Sequence, residues 1–319
     1  MASIALKVDV DTDRGTAEGV PRLARELERL GVRATFLFSL GPDNTGRAMR
    51  RVFRRGFLTK VRRTSVIQHY GLRTLLYGTL LPAPNIGRRR AGVMRSIASA
   101  GFEVGVHTYD HVKWQDCVGD ANYLWTCWQL QLAVNAFDDV FGRAPRVHGA
   151  AGWQLNEHLP ALEETYGFQY ASDTRGTSPF LPCVDGAIGS VPQFPTTLPT
   201  LDELVGRPEV SQDRIADHVL ALTRTSTRNQ VFTLHAELEG GAYLPLFLSL
   251  LQGWRAQGHV LGDLAAQRTA HSGPLAVHSI RMEEVPGRSG VLAVQGPQVV
   301  GTCQGGSGAS RVVDRAHEI

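Results

Sequence analysis

Two histidines stand four residues apart just beyond an apolar stretch of this sequence. His107 and His111 follow the run 102–106, which is typical of a buried strand. Imidazoles at that spacing can reach one metal ion from the same side, and a divalent ion then needs a further ligand such as a carboxylate. Asp9 and Asp11 provide carboxylates at the end of another strand-like segment. These four side chains predict a metal site; the alternative is two ordinary polar histidines at a strand end.

The sequence offers one carboxylate more than a three-ligand metal site requires. Apolar and polar residues alternate through the first strand, so Asp9 and Asp11 are expected on one face together with Lys7. A bound metal lowers the pKa of coordinated water to about 7, and a free carboxylate beside that water can accept its proton. Asp9 is the expected free carboxylate, with metal binding by Asp9 as the alternative. Lys7 is expected to pair with a carboxylate deeper in the fold.

A further histidine ends another predicted strand and could serve as a general acid. Hydrolysis of an amide requires a proton donor for the departing amine. His235 follows the apolar run 231–234, and Glu237 stands two residues on, where it could point the same way and orient the imidazole. A purely structural role for His235 is the alternative.

Two loops are candidates for substrate contact. Small residues precede a large aromatic in the loop that contains Ala151, Gly152 and Trp153, so backbone N–H groups could approach a ligand there. Asp173 and Arg175 follow the next predicted strand and could hold the base or a substrate anion. The alternatives are a tight turn beneath a core tryptophan and an ordinary surface turn.

Strand-like and helix-like segments alternate along the chain, which predicts an α/β fold with a mostly parallel sheet. The first helix is expected to begin at a capping Thr16. Because no dinucleotide-binding glycine pattern follows the first strand, a β/α barrel is favoured over an open sheet. The later helices are expected at 93–100, 122–141, 157–166, 213–223 and 243–257. The strands that follow them are expected at 102–106, near 147, and at 169–171, 231–234 and 259–261.

Residues 1–267 are expected to form the barrel, with an insertion at 44–95. Residues 44–102 contain no Asp or Glu, whereas arginines are interspersed with Phe, Leu, Ile and Tyr. Such a segment predicts an insertion that faces an anionic membrane surface; a solvated basic face is the alternative. Residues 268–319 are expected to be an extension that packs loosely as short strands and is disordered beyond 299.

Composition excludes several classes of protein. The 319 residues carry a net charge of only +3, so overall charge does not indicate a nucleic-acid partner. The four cysteines contain no C-x-x-C pair, which argues against a disulfide framework or a thiolate zinc site. Neither a signal-peptide pattern nor an apolar run of about 18 residues occurs. A protein of the cytoplasm is expected.

The motifs together resemble the polysaccharide deacetylase superfamily, from the first strand to about residue 265. The stretches that carry this resemblance are Asp9-Val10-Asp11-Thr12, Arg14-Gly15-Thr16, Glu18-Gly19-Val20-Pro21-Arg22-Leu23, Gly41-Pro42-Asp43-Asn44 with Gly46-Arg47, Glu103-Val104-Gly105 with His107, Asp110, His111, Trp114 and Gln115, Ala150-Ala151-Gly152-Trp153, Ser172-Asp173 with Arg175-Gly176, Thr197-Leu198-Pro199-Thr200 with Asp202-Glu203, and His235-Ala236-Glu237. The resemblance is closest to members that act on a sugar attached to a lipid carrier. It implies an irregular β/α barrel of the polysaccharide deacetylase type with a basic amphipathic insertion.

The resemblance also implies residue roles and a substrate. Asp9 would be the base, His235 the acid, and Asp11, His107 and His111 the ligands of a divalent metal. Zinc is the default ion for such ligands, with cobalt, nickel or manganese as alternatives. The superfamily's arginine partner of the base is absent from the 149–153 loop, and Arg175 is one candidate for that role.

The implied substrate is 4-deoxy-4-formamido-L-arabinose linked to undecaprenyl phosphate, deformylated during lipid A modification at the cytoplasmic face of the bacterial inner membrane. A peripheral membrane association is expected there. Deacetylation of another N-acylated sugar is the nearest alternative. A non-haem iron oxygenase would need neither the spare Asp9 nor His235, and a basic nucleic-acid-binding protein would hydrolyse no amide.

Overall fold

The structure is a computed structural model that describes residues 2–48, 71, 73–205, 207 and 209–299. Residues 49–70 and 72 of the basic insertion, which include Arg50, Arg51, Arg54 and Arg55, lie outside the described residues. The expected disordered tail beyond 299 also lies outside them. None of the described helices combines the length and the apolar character that a bilayer crossing requires.

Among the described residues, seven strands form a curled parallel sheet, which confirms the predicted α/β barrel class. Along the sheet the order is β5 (Tyr170–Ala171), β4 (Val147–His148), β3 (Glu103–Thr108), β2 (Thr35–Ser39), β1 (Ser3–Val10) and β8 (Gln230–His235), and β9 (Val260–Gly262) also pairs with β1. From its second residue onward, β1 is buried, as expected for a central strand covered on both faces.

Helices connect successive strands and cover the sheet with their apolar faces. In the first of these helices, α1 (Val20–Arg29), the residues Val20, Leu23, Ala24 and Leu27 are buried, which agrees with their helical spacing. The α-helices of the described part of the chain are α1 (Val20–Arg29), α2 (Ile86–Ser99), α3 (His111–Cys117), α4 (Tyr123–Phe141), α5 (Leu159–Thr165), α6 (Leu201–Leu204), α7 (Ile215–Thr223), α8 (Leu244–Ala256) and α9 (Leu264–Ala270).

The predicted cap at Thr16 is wrong. Thr16 lies inside a π-helical turn, Gly15–Gly19, that leads directly into α1. The hydroxyl of Thr16 donates to the carbonyl of Thr12, whereas Thr12 Oγ1 accepts the N–H of Gly15 at 2.9 Å. The capping oxygen therefore comes from Thr12, four residues earlier than predicted.

Helix α2 begins seven residues before the predicted start at 93. Asn85 caps it by accepting the N–H of Arg88 at 2.9 Å. In the part of α2 that precedes residue 93, Arg90 donates two hydrogen bonds of 2.8 Å to the carboxylate of Asp13. The end of the basic segment thus has an acidic partner, which local sequence could not reveal because Asp13 belongs to a distant part of the chain.

A second sheet joins the C-terminal extension to the barrel. Its strand order is β11-β10-β6-β7, with β6 (Phe180–Val184), β7 (Ala187–Ile188), β10 (Ala276–Glu284) and β11 (Val291–Gln298). The prediction of short, loose strands is wrong, because the β10–β11 hairpin has strands of nine and eight residues and β10 pairs with β6. The N–H of Arg175 donates to Ala293 at 2.8 Å, so the hairpin contacts a candidate site loop.

Candidate active site

The carboxyl ends of adjacent parallel strands bring the predicted residues together. Asp9 lies directly opposite His235 in the register between β1 and β8. His107 lies in β3, on the other side of β2 from β1. His111 is the first residue of α3, which follows β3 after a short turn. Parallel strands end at the same edge of a sheet, so residues far apart in sequence become neighbours here.

Asp11, His107 and His111 form a compact group of potential metal ligands. Asp11 Oδ1 lies 3.3 Å from His107 Nε2 and 3.5 Å from His111 Nε2. One ligand atom from each of the three residues lies within 4.8 Å of the others. Two imidazoles and one carboxylate at such distances can converge on a single divalent ion.

The surroundings of these three residues suit metal binding. The carbonyl of Gly149 lies 2.6 Å from His107 Nδ1 and can only accept, so Nδ1 carries the hydrogen and Nε2 keeps its lone pair. Asp11 Oδ1 is buried and has no hydrogen-bond partner among the described residues. A buried carboxylate oxygen without a donor, beside two ring nitrogens, fits a cation as the missing partner.

Electrostatics favour the protonation states that a metal requires. Burial alone would raise the pKa of Asp11, but His111 and His107 outweigh it and hold that pKa well below its usual range. Burial lowers the pKa of the His111 imidazole. An ionised carboxylate and a neutral imidazole are the ligand forms that bind divalent metals.

Asp9 has a different partner from the one predicted. Its Oδ2 lies 3.3 Å from Nζ of Lys7, a side chain with no exposed surface, and Nζ also donates to the Ser172 carbonyl at 3.0 Å. Lys7 therefore pairs with the neighbouring Asp9 and not with a deeper carboxylate. Arg175, the other candidate partner of the base, instead forms an ion pair with Glu203.

Glu237 does not orient His235 as the sequence suggested. Glu237 Oε1 accepts hydrogen bonds from the N–H of Asp11 at 3.2 Å and from the N–H and hydroxyl of Thr12 at 2.9 and 2.7 Å. Burial and the charge of Asp11 raise the pKa of Glu237 to about 8. The strand ends at His235 and the chain turns, so the alternation on which the prediction relied stops there.

Asp202 faces His235 instead; it is among the stretches that carry the family resemblance, but from the sequence it was assigned no role in the site. Asp202 Oδ1 lies 3.7 Å from His235 Nδ1. Asp202 belongs to the first turn of α6, where Thr200 and Glu203 form a reciprocal capping box. The pattern Thr-x-x-Glu is visible in the sequence and marks the start of this helix, but it does not indicate which strand end the helix faces.

The 149–153 loop forms a wall of the site. Ala151 and Trp153 are buried, and Gly152 has the positive φ of 62° that favours glycine. The Trp153 ring lies edge-on to His235, with the centroids 6.4 Å apart. The loop therefore lies against the proposed acid, and Trp153 contacts it through its ring.

Asp173 does not reach the surface of the site. Its carboxylate is fully buried and accepts the N–H of Ala150 at 2.6 Å and the side-chain amide of Gln193 at 2.7 Å. His148 Nδ1 lies 3.1 Å from Asp173 and 2.6 Å from Glu163. Burial opposes charge on His148, but these two carboxyl groups raise its pKa to about 9. Asp173 thus fixes the loop whose Gly149 carbonyl bonds His107.

Removal of this buried carboxylate should destabilise the protein. We expect Asp173→Ala to cost about 3–5 kcal/mol in free energy of unfolding, because His148 loses a charge partner and the Ala150 N–H loses its acceptor. Urea unfolding would measure the difference. Asp139→Ala, on an exposed face of α4, is the control and should change stability by about 0.5 kcal/mol or less. Equal stability of the two variants would contradict this role.

Two known proteins of similar sequence carry the same description. No family model matches the chain. It is 35% identical over 251 residues to the probable 4-deoxy-4-formamido-L-arabinose-phosphoundecaprenol deformylase ArnD of Shewanella sediminis, covering 79% of this chain and 81% of that protein. The protein of the same description from Wigglesworthia glossinidia brevipalpis is 32% identical over 286 residues, covering 88% and 98%.

The fold comparison agrees with these sequence relatives. A crystal structure of a polysaccharide deacetylase candidate from Mycobacterium smegmatis superposes with a TM-score of 0.56 at 19% identity, covering 85% of this chain and 89% of that one. At that identity the likeness concerns the fold alone. Given the sequence identity over most of its length, the chain belongs to the family of 4-deoxy-4-formamido-L-arabinose-phosphoundecaprenol deformylases.

Proposed function

We propose that the protein hydrolyses the formamide of 4-deoxy-4-formamido-L-arabinose linked to undecaprenyl phosphate, within lipid A modification. The products are formate and the 4-amino sugar on its lipid carrier. One observation carries the proposal: the Asp11, His107 and His111 group lies at the same edge of the sheet as Asp9 and His235, which are paired in register on adjacent strands. The relatives bear the name of this activity.

A divalent metal held by Asp11, His107 and His111 belongs to this proposal. Zinc is the default for two imidazoles and a carboxylate, and cobalt, nickel and manganese accept the same donors. When bound, such an ion polarises a carbonyl oxygen and makes coordinated water more acidic. Gly149 keeps the His107 ring in the tautomer that leaves Nε2 available.

Asp9 is the proposed base. Lys7 holds Oδ2 of Asp9, whereas Oδ1 is buried and has no hydrogen-bond partner among the described residues. Oδ1 can therefore accept a proton from the water that attacks the formyl carbon. The ion pair with Lys7 fixes the carboxylate in place without using this oxygen.

His235 is the proposed acid. The C–N bond of the formamide breaks as the nitrogen takes a proton, and without that proton the amine is a poor leaving group. Asp202 faces Nδ1 of His235 and Trp153 lies against its ring, so Nε2 is the nitrogen left to donate. The proton then leaves with the amine, and formate carries the attacking oxygen.

Formate release separates this function from its nearest alternative. The purified protein should release formate from a water-soluble 4-formamido-arabinoside, detected with formate dehydrogenase. The matched 4-acetamido sugar should react far more slowly if the site is built for formyl. Faster release of acetate than of formate would favour a deacetylase and refute the proposal.

We further propose that the protein associates peripherally with the cytoplasmic face of the bacterial inner membrane through its insertion. A lipid carrier cannot leave the bilayer cheaply, since each exposed CH₂ costs about 0.8 kcal/mol. Basic residues near an anionic surface contribute about 1 kcal/mol each. In the described part of the insertion, Leu80 exposes 80% of its surface, which supports an apolar component to the contact.

Vesicle binding tests the insertion. The protein should sediment with vesicles that contain phosphatidylglycerol but not with pure phosphatidylcholine, and added salt should weaken the binding. Replacing Arg50, Arg51, Arg54 and Arg55 with Ser should reduce binding and slow turnover of the lipid-linked sugar, with little effect on the soluble analogue. The control replaces four exposed arginines elsewhere: Arg25, Arg146, Arg224 and Arg228. Equal slowing of both substrates in the insertion variant would contradict membrane docking.

A further inference from the structure

The turn between β10 and β11 docks on the first turn of α6. Arg288 in this turn lies 2.7 Å from Asp202 Oδ2 and donates to Glu203 Oε1 at 3.1 Å. A third contact, of 3.3 Å, joins Arg288 to the hydroxyl of Thr200. One guanidinium of the C-terminal hairpin therefore binds all three polar residues that begin α6.

The backbone of the turn is fixed as closely as the side chain. Gly287 has a φ of 90°, and a Cβ there would collide with the carbonyl of Glu203. The carbonyl of the neighbouring Pro286 accepts a hydrogen bond from Arg207. The position of Arg288 is thus set by the backbone contacts of its own turn as well as by its ion pairs.

Asp202 connects this turn to the proposed acid. Arg288 contacts both oxygens of the Asp202 carboxylate, Oδ2 at 2.7 Å and Oδ1 at 3.3 Å, and Oδ1 also faces His235 Nδ1 at 3.7 Å. Burial alone would raise the pKa of Asp202, but the charges of Arg288 and His235 outweigh it and lower that pKa. The Arg288 guanidinium also lies 4.7 Å from the centre of the Trp153 ring, which contacts His235. Two routes, through Asp202 and through Trp153, lead from Arg288 to the same imidazole.

We propose that Arg288 is a positioning residue for amide hydrolysis, through which the C-terminal hairpin holds Asp202 and Trp153 against His235. This inference rests on the proposed role of His235 as the acid. The hairpin would then be a required part of the site and not an appendage of the barrel. Arg288 contacts Asp202 and Trp153, which both flank His235, so its effect is expected in protonation of the leaving amine and not in attack on the formyl carbon.

The positioning role of Arg288 can be tested with two substrates whose leaving groups differ in their need for a proton. Arg288→Met should lower kcat for the 4-formamido-arabinoside on the order of 10–100-fold, with KM nearly unchanged. It should barely affect hydrolysis of 4-nitrophenyl formate, because the nitrophenolate leaves without a proton. Arg288→Lys should restore part of the loss, since a cation again faces Asp202. Arg281→Met, on an exposed position of β10, is the control and should leave both rates unchanged.

The outcomes separate this inference from its rivals. An amide kcat that is unchanged in Arg288→Met overturns it, and so does an equal loss on both substrates, which indicates a general structural role. If Arg288→Met does not fold, the ratio of amide to ester turnover in Arg288→Lys decides: a ratio equal to that of the parent overturns the inference. Failure of the parent protein to release formate from the amide would instead refute the proposed function.

Discussion

Replacing His107 or His111 with alanine should remove bound metal and formamide hydrolysis together. Each imidazole supplies one of three ligand atoms that lie within 4.8 Å of one another, and two remaining ligands hold a divalent ion weakly. We expect metal content after dialysis, measured by plasma mass spectrometry, to fall from about one ion per chain to near zero. The amide kcat should fall in proportion.

His218→Ala is the matched control, because His218 is an exposed histidine of α7 far from this group in the sequence. It should retain both metal and turnover. Full metal occupancy in both His107→Ala and His111→Ala would show that the metal is bound elsewhere. Retained turnover in a metal-free variant would refute a metal-dependent reaction.

Substitution of Asp9 and of Asp11 should distinguish the base from the metal ligand. Asp9→Asn should keep its metal but lose about 10²–10⁴-fold in kcat, which is the usual contribution of a general base. Asp11→Asn should lose the metal. The reason lies in the two nitrogens of His107: Asp11 lies 3.3 Å from Nε2, whereas Asp9 lies 3.9 Å from Nδ1, which already bonds Gly149.

Metal content and kcat must be measured on the same preparations of both variants. Asn preserves the shape of Asp but removes the charge that faces the buried Lys7, so thermal unfolding must also show that Asp9→Asn is folded. Metal loss in Asp9→Asn together with metal retention in Asp11→Asn would reverse the two roles.

Much of the fold and the core of the site could be predicted because strands leave local signals. Alternation in β1 and the apolar runs before His107 and His235 mark strand ends. A parallel sheet then places those ends at one edge, and the structure brings Asp9 and His235 into register. The residues with the clearest chemistry were therefore found without any long-range information.

The partners of those residues could not be predicted, because each comes from a distant segment. Asp202 and Arg288 reach His235 through a helix start and a hairpin turn, and neither sequence context indicates what it faces. Glu237 was assigned by continuing a strand pattern past its end, whereas the chain turns and the side chain bonds Thr12. Arg175 was one candidate for the superfamily's arginine partner of the base, but it pairs with Glu203, a carboxylate of the α6 capping box.

Mass spectrometry of the lipid-linked sugar tests the central claim most directly. Undecaprenyl phosphate carrying 4-deoxy-4-formamido-L-arabinose would be incubated with the purified, metal-loaded protein and with its Asp9→Asn variant. We predict that the parent protein lowers the mass of the lipid-linked sugar by one CO, because hydrogen replaces the formyl group. The variant should leave that mass unchanged over the same time. An unchanged mass with the parent protein, or an equal loss with both proteins, would contradict deformylation by this site.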